Sequence, residues 1–313
     1  EKTNSLNKLK DVIRTLEGNK FIINEILMFK ARICFREKDF NTAKNLIDQV
    51  SNDWIEKTDH HTNILFWSFK AFIEEKLKNF DKAYKAFLKS QLNSKYEKCN
   101  KTLFRNYIFD YEKNLDNKNF FLKKDSYFRE TNNVYFLIGF PRSGTTLLDT
   151  ILRSHPDIDV IEEKPIINSL ERIIKTQFNC KLSEIHKLTE PQVEKLREYY
   201  LENILKLTDK KNSRIIIDKF PFQTVSLPLI NFIFPKAKII FAHRHPYDTV
   251  LSCFQQSFEP NNAMANLRSL RESSEIYNLS MKMWVKYKEN LNLDYQMSKY
   301  EALIKNFEVH TKK

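Results

Sequence analysis

The sequence predicts an α/β protein in which a parallel sheet flanked by helices is preceded by an all-α region of helical repeats. Three observations carry that prediction. The backbone breakers are partitioned: of three glycines and nine prolines, every proline lies at Pro141 or later, and Gly18 alone precedes Gly139. A stretch so poor in breakers favours helices joined by short polar turns. From Val134 onward, short continuous apolar runs alternate with amphipathic stretches, the pattern of buried parallel strands and their crossover helices. Finally, Gly139 and Gly144 frame a polar, cationic loop between one such run and a helix start, and glycine is used where the backbone takes φ > 0 or closely approaches another group.

The helical region, residues 1–126, contains a repeat. Ala31 and the Asp39-Phe40-Asn41-Thr42-Ala43 run align with Ala71 and Asn79-Phe80-Asp81-Lys82-Ala83 at an offset of forty residues. Small Ala31 and Ala71 allow close helix contact, Phe40 and Phe80 open the second helix of each pair, and Ala43 and Ala83 pack inward. This is a tetratricopeptide-like pattern, whose unit is about 34 residues. The extra residues are expected in a Trp54–Asn63 loop holding a solvated His60-His61 pair, and a third hairpin is expected over Glu97–Leu115. Such an array offers a surface for a peptide or protein partner.

The second region, residues 127–313, reads as strand Val134–Ile138, helix Thr146–Leu152, strand Ile158–Ile161, helical stretches Ile166–Lys175 and Pro191–Lys206, strand Ile215–Asp218, strand Lys238–Ala242, and helices Pro246–Phe254 and Ala263–Glu289. In such a sheet, ligands bind at the carboxyl ends of the strands.

Composition narrows the function. The net charge of +12 permits an anionic partner, but no zinc finger, RNA-binding signature or dense basic run points to nucleic acid. No apolar run reaches the ~18 residues of a membrane span. The four cysteines, Cys34, Cys99, Cys180 and Cys253, are scattered, which argues against a disulfide framework or a metal site and suits a reducing, cytoplasmic setting.

The chemistry gathers at predicted strand ends. Gly139-x-x-x-x-Gly144-Thr145-Thr146 is P-loop-like, with threonine where nucleoside-triphosphate enzymes carry lysine. That lysine reaches the β/γ-phosphates, so its loss argues against a kinase or NTPase, and Arg142 supplies a different cation. Loop N–H groups and a helix N-terminus make an anion cradle. Glu162-Glu163 follows the second strand, Asp218-Lys219 the third and Arg244 the fourth, with Ser252 eight residues beyond it. On one sheet edge they form an anion site with carboxylates beside it.

Pro141-Arg-Ser-Gly-Thr-Thr-Leu-Leu148 together with Arg244 and Ser252 resembles the 5′-phosphosulfate and 3′-phosphate motifs of sulfotransferases that use 3′-phosphoadenosine 5′-phosphosulfate (PAPS; product PAP). The resemblance continues through Phe234–Phe254, Asn262–Asn266, Trp284 and Tyr300-Glu301. With the repeats in front, the chain is similar to tetratricopeptide sulfotransferases related to tyrosylprotein sulfotransferases. This resemblance implies a sulfotransferase fold and transfer of a sulfuryl group from PAPS to an acceptor hydroxyl of a peptide tyrosine, carbohydrate or small molecule, without a metal. It implies Ser143, Gly144, Thr145 and Thr146 at the 5′-phosphate, Arg244 and Ser252 at the 3′-phosphate, Glu163 as base with Glu162 as its competitor, and Arg142 and Lys219 at the transferring group and leaving oxygen. Two departures stand out. Lys282 replaces a serine two residues before the tryptophan, and the chain stops at Lys313 soon after Tyr300-Glu301, which reads as a C-terminal truncation. The alternative from another class is a helical-repeat scaffold carrying an inactive PAPS-binding domain.

Overall fold

The computed structural model describes residues 5–126, 134–208 and 214–311. By contacts the chain forms two compact units, residues 1–100 with 254–269, and residues 101–253 with 270–313.

The first unit is helical: α1 (Leu6–Leu16), α2 (Ile23–Arg36), α3 (Phe40–Asp48), α4 (Asn52–Lys57), α5 (His60–Lys76) and α6 (Phe80–Leu92). The forty-residue repeat is visible in the backbone. Lys38 and Lys78 both take the left-handed region, at φ 66° and 61°. Each closes its helix with the same turn, Asp39 N–H to Cys34 C=O at 2.9 Å and Asn79 N–H to Glu74 C=O at 2.8 Å, the long bond of a Schellman cap. A glycine-poor chain thus ends its helices on lysine, at some cost in strain. Ala31, Ala43 and Ala71 are completely buried, and α2 packs on α3 and α5 on α6 around Met28, Ile47, Val50, Ile55, Phe66 and Ile73.

The expected Trp54–Asn63 loop is largely helical: α4 occupies its first half, and His60 and His61 stand in the first turn of α5. Asp59 caps that turn by accepting the His61 and Thr62 N–H groups at 2.9 and 3.1 Å. Asx capping just before a helix overrides a loop reading based on polarity alone. The expected helix over 263–289 is broken. A 3₁₀ turn at Met264–Leu267, entered through Asn261, whose side chain accepts the Ala263 and Met264 N–H groups, belongs to the first unit. Helix α14 (Leu270–Asn290) belongs to the second.

In place of a third hairpin, α7 (Lys101–Glu112) runs through a 3₁₀ turn into α8 (Lys118–Ser126), and both pack within the second unit. Its sheet contains β1 (Tyr135–Gly139), β2 (Ile158–Glu162), β3 (Ile215–Lys219), β4 (Lys238–His243) and β5 (Asp294–Lys299) in the order β2-β3-β1-β4-β5, every pair parallel. The intervening helices are α9 (Thr145–Arg153), α10 (Ile166–Thr176), α11 (Glu190–Leu207), α12 (Leu227–Ile233) and α13 (Pro246–Gln255), with α15 (Tyr300–Lys305) and α16 (Phe307–Thr311) after β5. The central strand β1 buries Phe136, Leu137 and Ile138 completely, as continuous apolar strands covered on both faces must. Register sets the functional edge. Lys219 lies opposite both Leu137 of β1 and Glu162 of β2, and Gly139 lies opposite Ala242 of β4. Among the described residues no helix is long and apolar enough to cross a membrane.

Candidate active site

The site grows from the end of β1. A β-carbon on Gly139 would stand 2.6 Å from the Ala242 carbonyl oxygen and 2.7 Å from Ser143 Oγ, so only glycine lets the loop leave against β4. The Thr224 hydroxyl fixes the departing chain by donating to the Gly139 carbonyl at 2.8 Å. The loop then closes on itself, Ser143 N–H to Phe140 C=O at 3.1 Å, with Arg142 at φ 66° and Gly144 at φ 97°. A side chain at 144 would be strained and would also stand 2.6 Å from the Tyr300 ring. Helix α9 starts at once, so its first N–H groups, which no helical carbonyl accepts, converge on the loop. Ser143 and Thr145 are buried there, and Ser143 Oγ has no hydrogen-bond partner. A buried hydroxyl left unpaired is costly, and its position in an N–H cradle fits an anionic oxygen that both would bind.

On the β4 side, three groups close around the loop. Arg142 Nε donates to Ser252 Oγ at 3.1 Å, while Arg244 reaches the Arg142 carbonyl at 3.4 Å. The Arg244 guanidinium lies 4.9 Å from the centroid of the Tyr300 ring, within cation–π range, and its buried Nε is unpartnered. Glu301 accepts the His245 N–H at 2.8 Å, pinning the start of α13. Burial works upward on the Glu301 carboxyl, but the His245 and Glu301 backbone N–H groups and the His243 and Arg244 charges outweigh it and hold it below its ordinary range.

On the β3 side stands Lys219, whose side chain is wholly buried. Its Nζ lies 2.7 Å from Glu162 Oε1, 3.3 Å from Glu163 Oε1 and 3.8 Å from Asp149 Oδ2. The Lys219 hydrogen bond and charge hold the Glu162 carboxyl below its usual range. Glu163 is placed by its backbone: it takes φ 50° and donates its N–H to the Lys219 carbonyl at 2.8 Å. The turn after β2 therefore folds back onto the end of β3, with both carboxylates facing the ammonium.

The residues singled out from sequence thus meet in two groups flanking β1. Arg142, Ser252 and Arg244 lie toward β4; Lys219, Glu162 and Glu163 lie toward β2; Ser143, Gly144, Thr145 and Thr146 lie between them. Among the described residues Arg142 makes no ion pair with either glutamate. Strand alternation separates Asp218 from its neighbour Lys219. Asp218 is buried on the opposite face beneath the Tyr200 hydroxyl, 3.2 Å away, and burial pushes its carboxyl up to about 7. His155 Nδ1 accepts the Asp157 N–H at 3.2 Å within the exit turn of α9. Lys282 is exposed on α14, whereas Trp284 is buried and stacked on Phe241 at 3.8 Å. Sequence reasoning passed over Asp149, Tyr300 and Thr224 as site residues. Asp149 carries one usable signal, an acidic residue one turn after Thr145 and one turn before Arg153 on a single face of the helix that leaves the loop.

Comparison with known proteins gives these geometries a context. A family model described as the Sulfotransferase family matches residues 135–313. An uncharacterised protein of Aquifex aeolicus is 33% identical over 130 residues, which are 39% of this chain and 17% of that protein. Protein-tyrosine sulfotransferase 1 of Danio rerio is 33% identical over 115 residues, 35% of this chain and 32% of that one. The chain therefore spans about a third or less of the curated relatives it matches. Among solved structures, sulfotransferase STF9 from Mycobacterium avium is similar over 88% of this chain and 81% of its own, at 12% identity and a TM-score of 0.37.

Proposed function

The chain belongs to the sulfotransferase family, and from that premise we propose that it transfers a sulfuryl group from PAPS to an acceptor hydroxyl of a peptide tyrosine, a carbohydrate or a small molecule. The observation that carries the reading is the split of the site around β1. Cations and hydroxyls stand on the β4 flank, and a buried ammonium with two solvent-facing carboxylates stands on the β2 flank. Adjacent strands are about 4.8 Å apart, so the ends of β3, with Lys219, and β4, before Arg244, lie two spacings or roughly 10 Å from each other across β1, a span suited to a doubly phosphorylated nucleoside with its reactive end on the Lys219 side.

The residues fit such a donor. The unpaired Ser143 hydroxyl, the first N–H groups of α9 and the Thr145 and Thr146 hydroxyls bind the 5′-phosphate. Arg244 and Ser252 bind the 3′-phosphate, the guanidinium forking onto its oxygens and the hydroxyl adding a donor. When bound, PAPS supplies an activated sulfuryl group with the 5′-phosphate as leaving group. Glu163 takes the proton from the acceptor hydroxyl as that oxygen bonds to sulfur. Lys219 meets the negative charge that develops as the bond to the phosphate oxygen breaks, a donor worth about 3 kcal/mol in the barrier; Arg142, expected beside it, lies instead with Ser252 on the β4 flank and there binds the donor's phosphates. Glu162, held more closely to Lys219 than Glu163 is, serves as the ammonium's partner.

Thermal shift with PAP, AMP and ATP tests donor recognition. PAP is expected to raise the melting temperature well above either of the others, since only it carries the 3′-phosphate; equal shifts would count against the reading. Turnover of PAPS against a panel of tyrosine peptides, saccharides and phenols, followed by PAP release, then identifies the acceptor class.

A further inference from the structure

The buried carboxylate beneath Lys219 has no place in the site as described so far. Asp149 lies one turn along α9 from Thr145, so the helix that begins at the phosphate loop also carries an anion to the underside of the strand ends. It is only 4% exposed. Oδ1 receives both Nε and Nη2 of Arg153, at 2.9 and 2.8 Å, and Oδ2 faces Lys219 Nζ at 3.8 Å. Glu162 and Glu163, the other anions of Lys219, are more than half exposed. The ammonium thus has one fixed, buried counter-charge below it and two solvent-facing ones at the edge.

This difference matters when one of the edge carboxylates works as a base. Glu163 must turn part of its charge toward the acceptor and becomes neutral on taking the proton. A fully buried ammonium is tolerated only while an anion stays beside it. Glu162 provides one, but it is screened by water; Asp149 is screened far less. We propose that Asp149 is a positioning residue for the transfer. It holds the Lys219 ammonium under the strand ends, so that Glu163 can release Lys219 for the acceptor without stranding a buried charge. The inference rests on the sulfuryl-transfer reading above. The charged groups around Lys219 are Asp149 and Arg153 from α9 and Glu162, Glu163 and Lys164 from the end of β2.

The test uses the whole chain and the acceptor that the wild type turns over. Asp149→Asn keeps the size and an acceptor oxygen for Arg153 while removing the charge. Its kcat is expected to fall tenfold or more, with the KM for PAPS and the affinity for PAP within twofold, because the loop and Arg244 are untouched. Asp149→Glu, which keeps the charge, should recover at least a third of kcat, a rescue that a merely space-filling aspartate would not show. Wild-type kcat in Asp149→Asn would overturn the proposal. If Asp149→Asn does not fold, Arg153→Gln, on a partly exposed residue, loosens the anchor and should lower kcat two- to fivefold with PAP affinity kept; an unchanged kcat there would overturn it equally. A wild type that ignores PAP and turns over no acceptor sinks the sulfuryl-transfer reading itself, whereas an active wild type with an indifferent Asp149→Asn sinks only the role of Asp149.

Discussion

Lys219→Met should separate stability from activity. Methionine fills the space of the lysine stem without its charge. At 2.7 and 3.3 Å, Glu162 and Glu163 would each interact with the ammonium by about 5–6 kcal/mol at an effective dielectric constant of 20, but by only about 1.3–1.5 kcal/mol in water. Their side chains are 55% and 54% exposed, so screening keeps each pair near the low end, and both carboxylates regain water when the lysine is gone. Asp149 is buried but keeps Arg153 at 2.8 Å, so no buried charge is left alone, the circumstance that makes breaking such pairs expensive. The net loss of stability is therefore expected to stay within about 2 kcal/mol, a shift of a few degrees in melting temperature. Turnover should fall by about a hundredfold or more, because a cation facing the developing charge is worth about 3 kcal/mol. Scanning calorimetry and PAP release at saturating PAPS measure the two quantities. Activity within fivefold of wild type would refute the role given to Lys219, and a melting temperature lowered by more than about 10 °C would show the charge cluster to be mainly structural.

Four further predictions follow from the same geometry. Glu163→Gln is expected to lose at least a hundredfold in kcat while binding PAP normally, and Glu162→Gln to lose clearly less; the reverse order would exchange their roles. Gly144→Ala should cost about 1–2 kcal/mol for its φ of 97° alone. The contact with Tyr300 adds to that, and denaturation of Gly144→Ala/Tyr300→Ala should recover only the contact part. Arg244→Ala should bring the thermal shift by PAP down toward that by AMP, and a retained difference would place the 3′-phosphate elsewhere. Asp218, raised by burial to about 7 from an ordinary 3.8, binds its proton more tightly folded than unfolded. Its stabilising contribution is full below about pH 4 and is lost as the pH rises through 7, so Asp218→Asn should be more stable than wild type at pH 8, by on the order of 3–4 kcal/mol relative to the difference between them at pH 4. Equal pH dependence of the two melting curves would show that Asp218 is not protonated in the folded protein.

Much of the fold was legible because it was written in local chemistry. Continuous apolar runs marked β1 to β4, and the forty-residue repeat marked α2 with α3 and α5 with α6 before their shared cap geometry was visible. Two elements lacked such a signal. Every residue of α12 is buried, so it shows no amphipathic period to read. Strand β5 is mostly exposed at the sheet edge and carries mixed residues, and only its pairing with β4 makes it a strand. Composition placed the helices at 101–126 with the repeats, because helix content depends on local propensity; their packing with the sheet unit depends on contacts distant in sequence.

By itself the sequence determined which groups stand at the strand ends. A glycine can be recognised wherever the chain must turn tightly, and a polar residue is conspicuous directly after an apolar run. That is enough to find Arg142, Ser143, Gly144, the Glu162-Glu163 pair, Lys219 and Arg244; Ser252, inside α13, and the choice of Glu163 over Glu162 came from the family resemblance. It could not say which of them face one another, because that depends on strand order and register. The tertiary structure decided that by placing β3 and β4 on opposite sides of β1. Arg142 consequently meets Ser252, and Lys219 meets the two glutamates. The same packing turned Asp218 away from Lys219 and brought Asp149 beneath it, since side chains alternate across a strand and a helix delivers its inner face to whatever lies under it.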